Sequence, residues 1–254
     1  MKPLNNQLKA LFAKFLILTM IFFTGLSKTE NLYAEQKGEV LAVATFVVGK
    51  AYYIRGGKQN KIKVKTIFEK DDVIKTEKGS INIQIGPSAI LKVSNYSEVT
   101  LGKLFEVGGE QEIALALKQG RIYSKIVKKL GNKSKFSIRT PTVVAGVRGT
   151  EFLVSESPDE TRRDDEDRDV PSGVFVNEGA VEAESSESGE SMNVNAGQQV
   201  ETKSGAFQQK ILDDFIKRKM EIFKKLDVMK EKNYELLKKQ KEKNKALMDK
   251  IRGR

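Results

Sequence analysis

The 254-residue sequence contains no cysteine, no histidine and no tryptophan, and only five prolines. Each absence removes a class of chemistry. Without cysteine there is no disulfide framework, no thiolate metal site and no thiol nucleophile. Without histidine the usual general base near neutral pH is missing, together with the commonest zinc ligand. Serine triads, histidine-based metalloproteases and most transition-metal sites are therefore excluded. Any catalysis would have to run on Asp, Glu, Lys, Arg or Tyr. The expectation is a non-catalytic protein with no cofactor and no metal.

Charge is present in quantity and unevenly spread. The chain carries a formal +11. Residues 151–190 hold 3 Lys+Arg against 14 Asp+Glu, or −11, whereas residues 208–254 hold 16 against 8, or +8. An acidic middle and a basic tail in one chain say more than the average does. No aromatic platform accompanies the basic tail, so nucleic acid is not an expected partner.

At the N-terminus, Lys2, Lys9 and Lys14 precede the apolar run "FLILTMIFFTGL" (15–26), and a polar stretch then ends at Ala34. A positive leader, a short apolar stretch and a small residue at a cleavage position form the pattern of a secretory signal. Residues 1–34 are read as a signal peptide, or as an inner-membrane anchor if uncut, which would give membrane contact at this end. The expected compartment is the periplasm.

From about Gly38 to Lys203 the sequence alternates apolar and polar residues in short runs. "INIQIG" (81–86), "ILKVS" (90–94), "EVTLG" (98–102), "EIALAL" (112–117) and "VFVNEG" (174–179) all show the period of two that places alternate side chains on one face of a strand. Turn residues punctuate these runs at short intervals. The expected fold is all-β: a barrel, a sandwich or a β-solenoid-like module over 38–203. Residues 155–173, "SESPDETRRDDEDRDVPSG", read as an acidic loop between two strands. Its "DDEDRD" imitates a calcium-binding acid cluster, but it lacks the glycine and closing glutamate of an EF-hand and is interleaved with arginine. A solvated loop is the simpler reading.

Beyond Gly205 the period changes. Ile211, Phe215, Ile222, Leu226 and Met229 recur near 3.6 residues, predicting a long basic amphipathic helix over 208–252. Its apolar stripe is a candidate surface for self-association or docking. Its lysines are either a solvated face or a site for an envelope polyanion or membrane surface.

One stretch concentrates unusual residues. "FSIRTPTVVAGVRGTEFLV" (136–154) sets Arg139, Thr140, Pro141 and Thr142 between two strand-like ends, then Gly146, Arg148, Gly149, Thr150, Glu151 and Phe152. Pro141 cannot donate to a sheet ladder, so the chain must turn or run along an edge there. Gly146 and Gly149 are expected to supply positive φ or a close backbone approach. Arg148 is expected to meet a carboxylate, with Glu151 and Glu178 the candidates. A phosphate cradle is the weaker alternative, because no helix follows.

The same stretch closely resembles the signature of the FecR domain family. "LKQGRIYSKI" (117–126) resembles the family's strand before the signature, and "VFVNEGAVEAE" (174–184) and "MNVNAGQQV" (192–200) its closing segments, with Glu178, Gly179 and Gly197 in the expected order. "KDDVIKTEKGSINIQI" (70–85) resembles the earlier part. The resemblance implies a periplasmic β-rich module without catalytic activity, which receives an outer-membrane receptor's signal by protein–protein contact. The founding type joins that module to a cytoplasmic sigma-factor regulator, and the short stretch before the apolar run here leaves no room for one. The reading is therefore an envelope binding or scaffolding module whose partner is another envelope protein. The competing class is a carbohydrate-active enzyme using paired carboxylates.

Overall fold

The structure, a computed structural model, describes residues 38–107, 109–126, 134–147, 149–156, 169–203 and 206–222, with positions 239, 242, 243 and 250. The strands are β1 (Gly38–Glu39), β2 (Ala42–Arg55), β3 (Lys58–Lys61), β4 (Ile67–Phe68), β5 (Val73–Ile85), β6 (Ala89–Val93), β7 (Glu98–Val107) and β8 (Glu110–Ile126). They continue as β9 (Lys135–Arg139), β10 (Val143–Val147), β11 (Glu151–Glu156), β12 (Gly173–Glu178), β13 (Ala180–Ser185), β14 (Ser191–Asn195), β15 (Gln198–Lys203) and β16 (Ala206–Ile211). Among the described residues one short helix follows, α1 (Asp214–Met220). The fold is all-β, as the alternation predicts.

All sixteen strands belong to one hydrogen-bonded network. β5, β6, β8 and β7 close a circuit, because β5 pairs with both β6 and β7 and each of these pairs with β8. The 17-residue β8 serves two layers. Its first half pairs with β7 and, in parallel, with β9, while its second half pairs with β6 and β11. Gly120 sits at the changeover with φ 94°, and a Cβ there would stand 2.2 Å from Ser97 Oγ. Only glycine allows the strand to pivot so close to its neighbour.

One layer therefore runs β14–β13–β10–β9–β8–β7 and the other β16–β15–β12–β11–β8–β6–β5–β2. Ile138, Val143, Ala145, Val181 and Ala183 from the first pack in the same core cluster as Phe152, Val154, Val174, Val176 and Val200 from the second. Phe136 and Phe152 meet edge-to-face across it, with ring centroids 6.3 Å apart.

The outer faces differ. On the second layer Tyr123, Leu153 and Phe175 stand opposite one another on β8, β11 and β12 and point away from the main core. α1 covers them with Ile216 and Met220, helped by Leu212. Asp213 caps the helix, accepting from the Phe215 amide at 2.7 Å, and Asp214 in the first turn with Lys217, Arg218 and Lys219 in the last suits the helix dipole. Because both faces are covered, every residue of β11 is buried. On the first layer nothing among the described residues lies over the outer face, and β13 keeps a strict exposed–buried alternation.

Three expectations are corrected here. Residues 206–211 form a strand paired with β15, so the helix expected from 208 begins at Asp214, and strands extend past Lys203. Ile211, expected on the helix stripe, is a strand residue 86 % exposed. The helix buries Ile216 and Met220, with Phe215 and Ile222 half-buried beside them, because the true start at Asp213 sets its phase. Leu226 and Met229 lie outside the described residues, as does the segment 1–34. Within 155–173, Ser155 and Glu156 are buried strand residues of β11, and Gly173 begins β12. Among the described residues no helix is long and apolar enough to cross a membrane.

Candidate interaction face

The signature stretch forms the β9–β10 hairpin and the start of β11. At the bend, the Thr140 hydroxyl accepts from the amides of Thr142 (3.1 Å) and Val143 (3.0 Å), and the Thr140 amide donates to the Val143 carbonyl at 2.8 Å. Pro141 is exposed at the tip, where its missing N–H leaves nothing unsatisfied. Thr142 donates its hydroxyl to Glu156 Oε2 at 2.7 Å and accepts one from Thr202 at 3.1 Å, while Ser172 donates to Glu156 Oε1 at 3.0 Å. The Thr-Pro-Thr bend thus ties both layers together around a buried carboxylate.

At the other end of the hairpin, Gly149 has φ 70° and the Thr150 carbonyl accepts from the Ile126 amide at 2.9 Å. Gly179 (φ 83°) crosses so close that a Cβ on it would stand 2.5 Å from Thr150 Cγ2 and 2.6 Å from the Gly149 carbonyl oxygen. Gly197 makes the turn into β15 and its carbonyl accepts from the Leu212 amide at 2.8 Å, placing the chain that leads into α1.

Arg148 lies outside the described residues, and the two carboxylates expected to receive it, Glu151 and Glu178, differ in their surroundings. Glu151 forms an ion pair with Lys125 and accepts from Asn177 Nδ2 at 2.9 Å; both Lys125 and Glu151 side chains are largely buried. Glu178 is exposed. Gly146 does not carry positive φ; it is an interior residue of β10, and a Cβ there would meet only the Glu182 carbonyl oxygen at 3.8 Å. Its importance lies in the surface it helps to form.

That surface is the open face of the first layer. One cross-strand row runs Lys103, Ala114, Ser137, Gly146, Glu182 and Asn193 over β7, β8, β9, β10, β13 and β14. The next runs Thr100, Ala116, Arg139, Val144, Glu184 and Ser191 over the same strands. Small side chains floor an open groove of about 900 Å³, lined among others by Lys135, Arg139 and Glu182. Lys103 is neutralised by Glu112. The side chains of Lys135 and Arg139 on β9, and of Glu184 on β13, make no hydrogen bond or ion pair among the described residues, while the Glu182 carboxylate accepts only a long bond from Ser191 at 3.4 Å. The assembly of these positions into rows depends on strand pairing that no local pattern encodes.

A second hollow of about 580 Å³ lies between Tyr52, Lys75, Tyr96 and Glu98. Its charges are satisfied: Lys75 and Lys118 reach Glu98 at 3.0 and 3.4 Å, and Lys50 reaches Glu77 at 3.8 Å. Among the described residues no cluster of three carboxylates is placed to hold a metal ion.

These features define an all-β module in which, among the described residues, one outer face is sealed by a helix and the other is open. Residues 72–182 match the family model for FecR protein. Two crystal structures of a proposed anti-sigma factor from Parabacteroides distasonis ATCC 8503, at 2.50 and 1.65 Å resolution, are similar in fold at 15 % identity with TM-scores of 0.42 and 0.43. The similarity covers 55 % and 56 % of this chain and 58 % and 60 % of those chains, less than two thirds of their length. A comparison with curated proteins found no match.

Proposed function

We propose that this is an exported, non-catalytic FecR-domain protein that binds another protein of the cell envelope, as one step of a signal relay. The binding surface is the open face of the β7–β8–β9–β10–β13–β14 layer. The observation that carries this reading is the asymmetry of the two layers. Among the described residues, a sheet face spanning six strands, with a small-residue floor and unpaired charges, lacks the cover that α1 gives its counterpart. The apolar run at 15–26 supports export, and the relay role comes from the FecR family.

The paired-carboxylate alternative finds little support in this groove. Glu112 on β8 and Glu182 on β13 stand three strands apart, roughly 14 Å at ~4.8 Å per strand, beyond the ~5–9.5 Å that glycoside hydrolysis needs. Glu112 is also held by Lys103. The polyanion reading rests on the lysines of 208–252, most of which lie outside the described residues.

The test is site-specific photo-crosslinking in intact cells, with the crosslinker at Ser137 on the open face and, as a control, at exposed Gln208 on β16. Capture of an envelope protein from Ser137 and not from Gln208 is expected. Recovery of the chain with the cytosol, or equal capture from both positions, would defeat the reading.

A further inference from the structure

We propose that the open face pairs with the same face of a second copy of this chain. The inference rests on reading that face as a docking surface, and adds how access to it is regulated.

The face is bipolar. Among the described residues, its two cations without a side-chain partner, Lys135 and Arg139, lie on β9, and its acids, Glu182 and Glu184, lie on β13. β10 separates the two stripes and contributes only Val144 and Gly146 to the surface. The stripes are therefore about 10 Å apart, at two strand spacings. Arg139 and Glu184 share a row through Val144, so neither is displaced along the strands relative to the other.

This arrangement is complementary to itself under one rotation. A two-fold axis running along β10, midway between two facing sheets, lays β9 of each copy over β13 of the other. Because the axis follows the strand direction, each row faces its own equivalent. Arg139 then meets Glu184 of the second copy, and Lys135 lies beside its Glu182. The opposite choice, an axis across the strands, would set cations against cations. Packed sheets in proteins lie about 10 Å apart with strands aligned to within about 30°, a gap that an arginine–glutamate pair spans. On the axis, Val144 and Gly146 are small enough to let the faces approach.

A partner of uniform charge would be drawn to one stripe and repelled by the other. A second copy supplies the matching bipolar pattern with no further assumption, and isologous pairing is the commonest form of oligomer. With the axis on β10, five strands of each copy overlap and β7 lies outside; at five residues per strand they present roughly 400 Å² per copy, so the pair buries about 800 Å², below the standard size of a specific interface. The association is therefore weak and reversible. While it lasts, the face is closed to the envelope partner, which must compete for it.

Sedimentation velocity of the purified full-length chain, without any partner, tests this. The wild type is expected to show a concentration-dependent monomer–dimer equilibrium that added salt weakens. Arg139→Glu and Glu184→Arg are each expected to sediment as monomers with unchanged circular dichroism, since both sites are exposed. An equimolar mixture of the two variants is expected to recover the dimer, because every cross-copy contact then joins opposite charges. A wild type that stays monomeric, single variants that still dimerise, or a mixture that stays monomeric each overturns the proposal. Dimers unaffected by either substitution would place self-association elsewhere, such as the C-terminal segment. The assay contains no envelope protein, so its failure leaves the crosslinking result at Ser137 standing.

Discussion

The guanidinium of Arg55 grips the carboxylate of Asp72 through two hydrogen bonds, Nε to Oδ1 at 2.8 Å and Nη2 to Oδ2 at 2.6 Å. Asp72 is fully buried and also accepts from the Glu69 amide at 2.9 Å, while Arg55 reaches Glu69 Oε1 at 2.6 Å and the Ile67 carbonyl at 3.1 Å. The hydrogen bond to Asp72 raises the arginine pKa above its ordinary value, more than burial lowers it, so the guanidinium keeps its charge. This clamp ties the end of β2 to the segment before β5. Arg55→Ala leaves the carboxylate buried without its cation. The expected loss is about 2 kcal/mol, below the ~3–5 of a fully buried pair because water reaches the arginine side chain. Urea denaturation monitored by circular dichroism gives the number; an unmoved midpoint would remove the clamp from the list of stabilising contacts.

Glu98 gives the fold a dependence on acid. Burial pushes its carboxyl upward, but the hydrogen bonds and charges of Lys75 and Lys118 outweigh it, and the net shift is below the usual 4.5. A folded pKa below the unfolded one means stabilisation that is complete above the unfolded value and lost as pH falls through the folded one. Glu98→Gln should therefore narrow the stability difference between neutral and acidic solution. Denaturant midpoints at about pH 7 and about pH 3 measure it, and the variant should lose more at neutral pH than in acid.

Gly179 and Gly197 both adopt positive φ, at 83° and 76°, yet they should tolerate alanine very differently. At Gly197 nothing lies within 4 Å of the new Cβ, so the cost is the conformational strain alone, about 1–2 kcal/mol. At Gly179 the Cβ would overlap Thr150 and the Gly149 carbonyl, forcing β13 away from the start of β11. Gly179→Ala should cost at least ~3 kcal/mol, the sum of that strain and an overpacking penalty. Thermal melts of the two variants side by side test the close approach, which equal losses would contradict.

Ile216 and Ile211 form a second contrast, separated by a single strand–helix junction. Ile216 is 2 % exposed and packs over the row of Tyr123, Leu153 and Phe175, whereas Ile211 is 86 % exposed. Ile216→Ala should cost about 2–4 kcal/mol and speed amide exchange across 214–222. Ile211→Ala should change stability by less than about 0.5 kcal/mol. Should the two variants behave alike, α1 does not seal the sheet in solution.

Much of the architecture is legible one residue at a time. Ile81, Ile83 and Ile85 alternate with polar neighbours, and all three are fully buried on one face of β5. Pro141, with no amide hydrogen to offer, marks the tip of the β9–β10 hairpin. The family resemblance at 136–154 falls within the residues that match the FecR model.

Other features escape any local pattern. Ile211 and Phe215 share a helical spacing in the sequence, but the pairing of β16 with β15 draws Ile211 into a strand and shifts the buried helical stripe to Ile216 and Met220. Glu151 takes Lys125 from β8 and Asn177 from β12, each about 26 positions away, and Thr142 meets Thr202 across 60. Alternation arises from the backbone geometry of neighbouring residues, so the chain determines it without knowing its fold. Register, charge partners and the choice of covered face depend on strands distant in sequence, whose interaction energies exist only once those strands have met.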